Sequence, residues 1–460
     1  MASPGAQRGL ATLAYVALLG VAVGAFVLVR GHGVHLSAPP AVGEGHFGRS
    51  AGGAHLDLLL HVLVALVAIV GAARLVGRLG RFVGQPAVIG EIVAGLMLGP
   101  SFLGQVWPAA SQFILPKHVA PLIEAIAQVG VILFMFLVGV ELDPEHIRRR
   151  GRAALAISHA SIVVPFTLGA VLALYLYPRL GTADVPFTAF ALFVGISMSV
   201  TAFPVLARIL RERGLDKSPL GSLAITCAAI DDISAWCLLA VIVGVAQSRL
   251  VGALTTGVLA VGYILLLVFV ARPGIQALAR LVDRRGGLSQ SGLALVLVIA
   301  MTSALVTDAI GIHALFGAFA VGACVPATSG LAHELRRRIE DLVVVLFLPA
   351  FFALTGMRTQ LGLLHGAAAW GLCALIIVVA CFGKFGGGAI AARLSGLTWR
   401  DSAAIGLLMN TRGLMELVVL NIGLELRIIS PTLFAMLVLM AVVTTLMTAP
   451  LLGRWRGGAP

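Results

Sequence analysis

Hydrophobic residues along this chain fall in long blocks, not in the alternating or three-and-four spacing of half-buried elements. Fourteen apolar stretches recur, at roughly 10–29, 56–78, 86–104, 119–141, 153–178, 187–210, 219–247, 249–271, 290–310, 313–327, 341–360, 365–392, 401–425 and 430–453. Gly, Pro or clustered charges separate them. At about 20 residues per crossing, such blocks predict helices that each span a bilayer once. The expected fold class is therefore an all-α polytopic membrane protein. It would have about 13 transmembrane helices plus a signal or anchor helix at residues 1–30.

Composition agrees with the pattern. Of 460 residues, 59% are hydrophobic and 11% charged, and the mean hydropathy is +1.04. A fold in water could not cover that much apolar surface. The net charge of +12 would suggest nucleic acid in a soluble protein, but here its placement decides. With the N-terminus inside and each stretch crossing once, the inside loops carry 22 of the 32 basic residues, among them Arg148, Arg149, Arg150 and Arg152. Seven fall outside. That bias follows the positive-inside rule and predicts a multi-pass cell-membrane protein with a cytoplasmic C-terminus.

The first stretch, "LATLAYVALLGVAVGAFVLVR", reads as a signal or anchor segment. Residues 31–55 read as an extracytoplasmic linker; His32, His35 and His46 lie there, and a solvated loop is favoured over a metal site. The five cysteines have no paired spacing and are read as packing residues. Neither a structural metal nor a cofactor is expected.

The chemistry lies in the few charges inside apolar stretches. "ITCAAIDDISAWCLLAVIVG" places Asp231 and Asp232 mid-span, where one carboxylate costs about 2.5–3.5 kcal/mol. Consecutive residues project about 100° apart on a helix, so both acids cannot face one partner. Lys384, in "VVACFGKFGGGAIAA", is the single mid-span lysine. A lysine opposite one acid leaves the other open to something small and positive. A carboxylate in such a dry setting can alternate between a proton and a metal cation, which is the basis of exchange. A purely structural cluster is the competing reading. Arg412 and Glu416, four apart and so on one helix face, should neutralise each other. Glu91 is read as a helix-end or lipid-interface residue; Glu124, Asp308 and His313 are read as cap and turn residues.

The chain also echoes itself. "LFMFLVGVELD" (133–143) resembles "LPAFFALTGMRTQ" (348–360), and "GISMSVTAFPVLARILRERG" (195–214) resembles "GLLMNTRGLMELVVLNIGLE" (406–425). Each pair runs in opposite directions on the predicted topology, the trace of inverted repeats whose site lies among broken helices. Ser199, Thr201 and Pro204 interrupt one member; Asn410, Thr411, Arg412 and Gly413 interrupt the other.

With those residues placed, the chain resembles the second branch of the monovalent cation:proton antiporter family, which includes bacterial Na+/H+ antiporters, gated K+ efflux systems and plant cation/H+ exchangers. The motifs that carry the resemblance run in family order from about 55 to 455 and include "GQPAVIGEIVAGLMLGP", "SVTAFPVLARILRERG", "AAIDDISAWCLLA" and "LLMNTRGLMELVVLNIGLE". The resemblance implies a sodium/proton antiporter-like fold over 56–455. Core and dimerisation parts would be interleaved, the chain would be a homodimer, and access would alternate. It implies that Asp232 carries the ion and the proton, and that Asp231 and Lys384 form a pair that opens and closes as the ion binds. Thr201 would lie beside the carrier, and Arg412 and Glu416 in the partner broken helix.

The last five residues, 456–460, are expected to be a short cytoplasmic tail, with no soluble nucleotide-binding domain following. The partners expected are a monovalent cation (Na+ or K+), H+ and the bilayer, not nucleic acid. Two alternatives stand beside simple exchange: a K+ efflux system needing a separate regulatory subunit, and a non-transporting sensor on the same scaffold. No His/Glu cluster at ligand spacing supports an enzyme.

Overall fold

The computed structural model describes residues 4–33, 36, 55–82, 85, 87–116, 118–141, 151–215, 218–247, 250–310 and 313–456. His35, His46, most of the 31–55 linker, Arg148 to Arg150, Lys217 and residues 457–460 lie outside the described residues. Among the described residues all regular structure is helical.

Ten described segments are long and apolar enough to cross a bilayer by length and composition. The other apolar stretches are built differently. Stretch 187–210 is two half-helices, α6 (Phe187–Ser199) and α7 (Phe203–Glu212); stretch 401–425 is likewise α16 (Trp399–Met409) and α17 (Leu414–Glu425). Stretch 313–327 contracts to the 10-residue α12 (Ala314–Ala323), about 15 Å long and too short to cross alone. The first stretch is α1 (Pro4–Gly33), which packs on the later helix Gly151–Leu180, with the Phe26 and Phe166 rings 6.2 Å apart.

Apart from two short helices at Leu103–Val106 and Pro108–Ile114, the remaining helices are α2 (His55–Phe82), α3 (Ala87–Leu98), α4 (Ala120–Glu141), α5 (Gly151–Leu180), α8 (Pro219–Gln247), α9 (Leu250–Leu266), α10 (Arg272–Arg285), α11 (Gln290–Ile310), α13 (Gly330–Leu342), α14 (Leu348–Arg358), α15 (Gly366–Leu394) and α18 (Pro431–Arg456). Two of the predicted crossings continue as helix into the segment beside them. α9 runs into α10 through a π-turn at Leu267–Ala271, and α13 runs into α14 through one at Val343–Phe347. Each π-turn directly precedes a proline in the first turn of the next helix. Proline supplies no N–H, so the ladder is re-spaced there rather than ended.

The helices form two packing groups. α5, α6, α7, α8, α15, α16, α17 and α18 pack on one another, centred on the α5–α15 contact. α2, α3, α4, α11, α12, α13 and α14 form the second group. The order of elements repeats: two helices, a long helix, the central helix, a broken helix and a closing helix, first in α2–α8 and again in α11–α18. Packing repeats with it, since α4 packs on α12 as α14 packs on α3. The glycines of the echoed "LVGVE" and "LTGMR" sit at those two crossings. A Cβ added to Gly322 of α12 would fall 3.0 Å from Gly139 Cα, and one on Gly356 would fall 2.8 Å from the Gly95 carbonyl carbon. Only glycine lets the backbones approach so closely. This is an inverted-repeat arrangement with two broken helices.

Glu91 corrects its expected place. It is buried within α3, because α3 is wedged between α2 and α14, not laid at a lipid interface. The apolar side chains facing outward, such as Val261, Ile264 and Phe269 on the α9 segment and Val298 and Leu305 on α11, provide the lipid-facing surface of a multi-pass membrane protein.

Candidate functional site

Both broken helices open at one place. α6 ends at Ser199, Val200 turns extended (φ −70, ψ 136), and α7 begins at Phe203. Pro204 is not itself the break; it lies in the first turn of α7, where a missing N–H is tolerated. On the other side α16 ends at Met409 and α17 begins after an extended Gly413 (φ 169). The two interruptions are stitched together. The Ala202 amide donates to Thr411 O at 3.0 Å, and Thr201 Oγ1 lies 3.1 Å from Met409 O. Irregular backbone at this depth is thus enclosed by protein.

A half-helix that ends inside the protein leaves carbonyls without partners and a partial negative charge at its C-terminus. Two cations meet those of α6. Arg412 donates through one terminal nitrogen to Ser197 O at 2.8 Å and through the other to Met198 O at 2.7 Å. Lys384 donates to Ser199 O and, at 3.0 Å, to Ser161 O. Ser199 therefore contributes its carbonyl; its hydroxyl turns back to Gly195 O at 2.7 Å.

The third donor of Lys384 goes to Asp231, Nζ to Oδ2 3.0 Å, with both side chains fully buried. Asp231 is then heavily satisfied. Ser158 Oγ lies 2.5 Å from its Oδ1, Thr201 Oγ1 lies 2.5 Å from Oδ2, and Ser161 Oγ is within 3.2 Å of both oxygens. Asp232, the next residue, is the opposite case. It is 2% exposed, yet neither of its carboxylate oxygens has a hydrogen-bond partner. Burying a carboxylate without partners is costly, so the geometry fits a group that takes up a proton or a cation. The 100° between neighbours on α8 divides the pair: one acid locked, one unpartnered.

Arg412 and Glu416 form a buried ion pair at 3.2 Å, but the guanidinium is directed mainly at α6. Glu416 makes no hydrogen bond, and Asn410 Oδ1 and Thr411 Oγ1 are also buried without partners. Asn410 Nδ2 reaches only Cys381 Sγ, at 3.8 Å. The glycines around Lys384 divide too. Gly383 lies against Pro165, Gly387 against Val164 and Gly388 against Gly406, whereas Gly386 has open space beside it.

Sequence reasoning missed Ser158 and Ser161. Their signal was present as two serines at i and i+3 on an otherwise apolar helix, one face of "ISHASIVVP", which points at a shared partner.

The sodium/hydrogen exchanger transmembrane family profile matches residues 62–454, and the chain belongs to that family. It is 43% identical over 397 residues to the Na(+)/H(+) antiporter NhaS4 of Synechocystis sp., covering 86% of this chain and 97% of that protein. It is 40% identical to the cation/H(+) antiporter 17 of Arabidopsis thaliana and 36% identical to the K(+)/H(+) antiporter 1 of Saccharomyces cerevisiae. These matches cover 86% and 80% of this chain, which spans 48% and 43% of those two proteins. The solved sodium proton antiporter MjNhaP1 of Methanocaldococcus jannaschii superposes with a TM-score of 0.61 over 87% of this chain and 97% of its own, at 16% identity. That likeness establishes the fold.

Proposed function

We propose that this protein exchanges a monovalent cation for H+ across a membrane, with Asp232 as the group that carries each in turn. One observation supports this above the others: a buried carboxylate without partners beside a twin that is fully engaged. Proton and cation compete for Asp232, so binding of one requires release of the other. While Asp231 is held by Lys384, Ser158, Ser161 and Thr201 it keeps the lysine from neutralising the carrier, and the Asp231–Lys384 pair opens and closes as the ion binds. Arg412 and Lys384 hold the end of α6, fixing Thr201 and the α7 N-terminus around the site. The sparse contact between the two packing groups suits alternating access, in which the group bearing the aspartates moves against the other. We take that other group as the dimerisation part of a homodimer in the cell membrane, with the C-terminus cytoplasmic.

Relatives are named for Na+, K+ or cations in general, and either ion suits one carboxylate. Exchange measured in proteoliposomes with an internal pH dye tests the reading. Na+, K+, Li+ or choline is added against an imposed proton gradient, with the wild type and Asp232→Asn in parallel. Dissipation specific to a cation, absent in the variant, is the expected result. No dissipation by any cation in a folded wild type would overturn it.

A further inference from the structure

Contact between the two packing groups is sparse, but the ends of α14 and α17 are joined by a polar cluster that the carrier chemistry does not use. Arg358, the last residue of α14, donates through one terminal nitrogen to Asn421 Oδ1 at 2.8 Å and lies 3.3 Å from Glu425 Oε1, both on α17. Its other terminal nitrogen pairs with Glu124 of α4. Asn421 Nδ2 donates to Thr355 Oγ1, one turn back on α14, at 2.9 Å. Gln128 of α4 lies 3.5 Å from Glu425 Oε1. One guanidinium thus bridges α4 and α14 of the second group to α17 of the first.

Two features suit this cluster to a contact that is made and broken. The charged side chains are 25–35% exposed, so parting them in water costs little. Asn421, by contrast, is buried, and its amide fixes the register while the contact holds. α17 also starts at the helix crossing: Asn421 lies eight residues beyond Gly413, about 12 Å along a rigid helix. Movement of the crossing relative to α14 must displace Asn421 and Glu425.

We propose that Arg358, with Glu124, Asn421 and Glu425, is a latch between the two helix groups that holds the present conformer and opens in each transport cycle. The inference rests on the alternating-access reading above. Its test is a reversible lock. In a chain with its five cysteines replaced by alanine, Thr355→Cys and Asn421→Cys are combined, oxidised and reconstituted. The cross-linked fraction is measured by mass spectrometry.

Oxidation should lower the initial exchange rate at least about 10-fold, dithiothreitol should restore it, and neither single-cysteine variant should respond. Adding Arg358→Gln should lower the rate of cross-linking about 5- to 30-fold, the population change that one or two kcal/mol produces, and Arg358→Lys should lower it less. Cross-linked protein that exchanges at the reduced rate, a cysteine pair that never links, or linking that ignores Arg358→Gln would each overturn the latch. Absence of exchange in the unsubstituted wild type would count against the functional reading instead. The dependence of cross-linking on Arg358 needs no transport and still judges the latch.

Discussion

Lys384 and Asp231 form an ion pair with Nζ 3.0 Å from Oδ2 and neither side chain exposed. The same ammonium donates to no other acid; its two remaining protons go to the Ser161 and Ser199 carbonyls. The lysine is therefore a structural tie between α5, α6 and α8 as well as the counter-charge of one aspartate.

Removing that lysine alone leaves a buried carboxylate and two carbonyls short of a donor. Lys384→Met should destabilise the protein by about 3–5 kcal/mol, the usual cost of breaking a buried pair on one side. The double variant Asp231→Asn, Lys384→Met should recover part of that loss. Thermal unfolding in detergent checks both, and a double no more stable than the single would contradict the assigned pairing.

Ser158 and Ser161 should each matter through Asp231. Ser158→Ala and Ser161→Ala remove hydroxyls at 2.5 and 3.1 Å, and each should cost about 0.5–1.5 kcal/mol of stability, the range for hydrogen bonds between membrane helices. Combined with Asp231→Asn their effects should be less than additive. Strict additivity in a thermal-shift cycle would separate the serines from the aspartate.

Arg412 should behave as a clamp on α6 more than as the partner of Glu416. Arg412→Leu strips two carbonyls of their donor and one carboxylate of its ion-pair partner, and should cost about 2–4 kcal/mol. Glu416→Gln keeps the guanidinium on Ser197 and Met198 and should cost clearly less. Equal losses in thermal unfolding would contradict the assignment.

Glycine positions give a test of the repeat geometry. Gly322→Ala and Gly356→Ala place a Cβ within 3.0 Å of facing backbone and should each cost about 1–3 kcal/mol, as overpacking does. Gly386→Ala meets nothing within 4 Å and should be neutral. Yield of folded protein and unfolding temperature read the difference.

Much of this was legible in the sequence because a bilayer leaves few ways to carry a charge. Asp231, Asp232, Lys384 and Arg412 stood out for lack of polar company, and the echoed "LVGVE" and "LTGMR" pointed to the crossings where Gly139 and Gly356 now lie. Other features depend on three-dimensional neighbours. The break before Phe203 is not at Pro204, since proline is well tolerated one residue inside a helix. Ser158 and Ser161 share one helix face, but the partner they serve is not identifiable until α8 is packed against them. Arg358 looks like a loop-end basic residue until α4 and α17 bring Glu124 and Glu425 to it. The π-turns that carry α9 into α10 and α13 into α14 show no break in the apolar pattern at all.

The most direct test of the central claim is proton release on cation binding. Purified protein in weakly buffered detergent is mixed with Na+ or K+, and the solution pH is followed for the wild type and for Asp232→Asn at equal concentration. Competition at Asp232 predicts that the transported cation acidifies the wild-type solution and leaves the variant unchanged. Equal acidification by the two proteins would mean that the proton leaves another group, and Asp232 would not be the carrier.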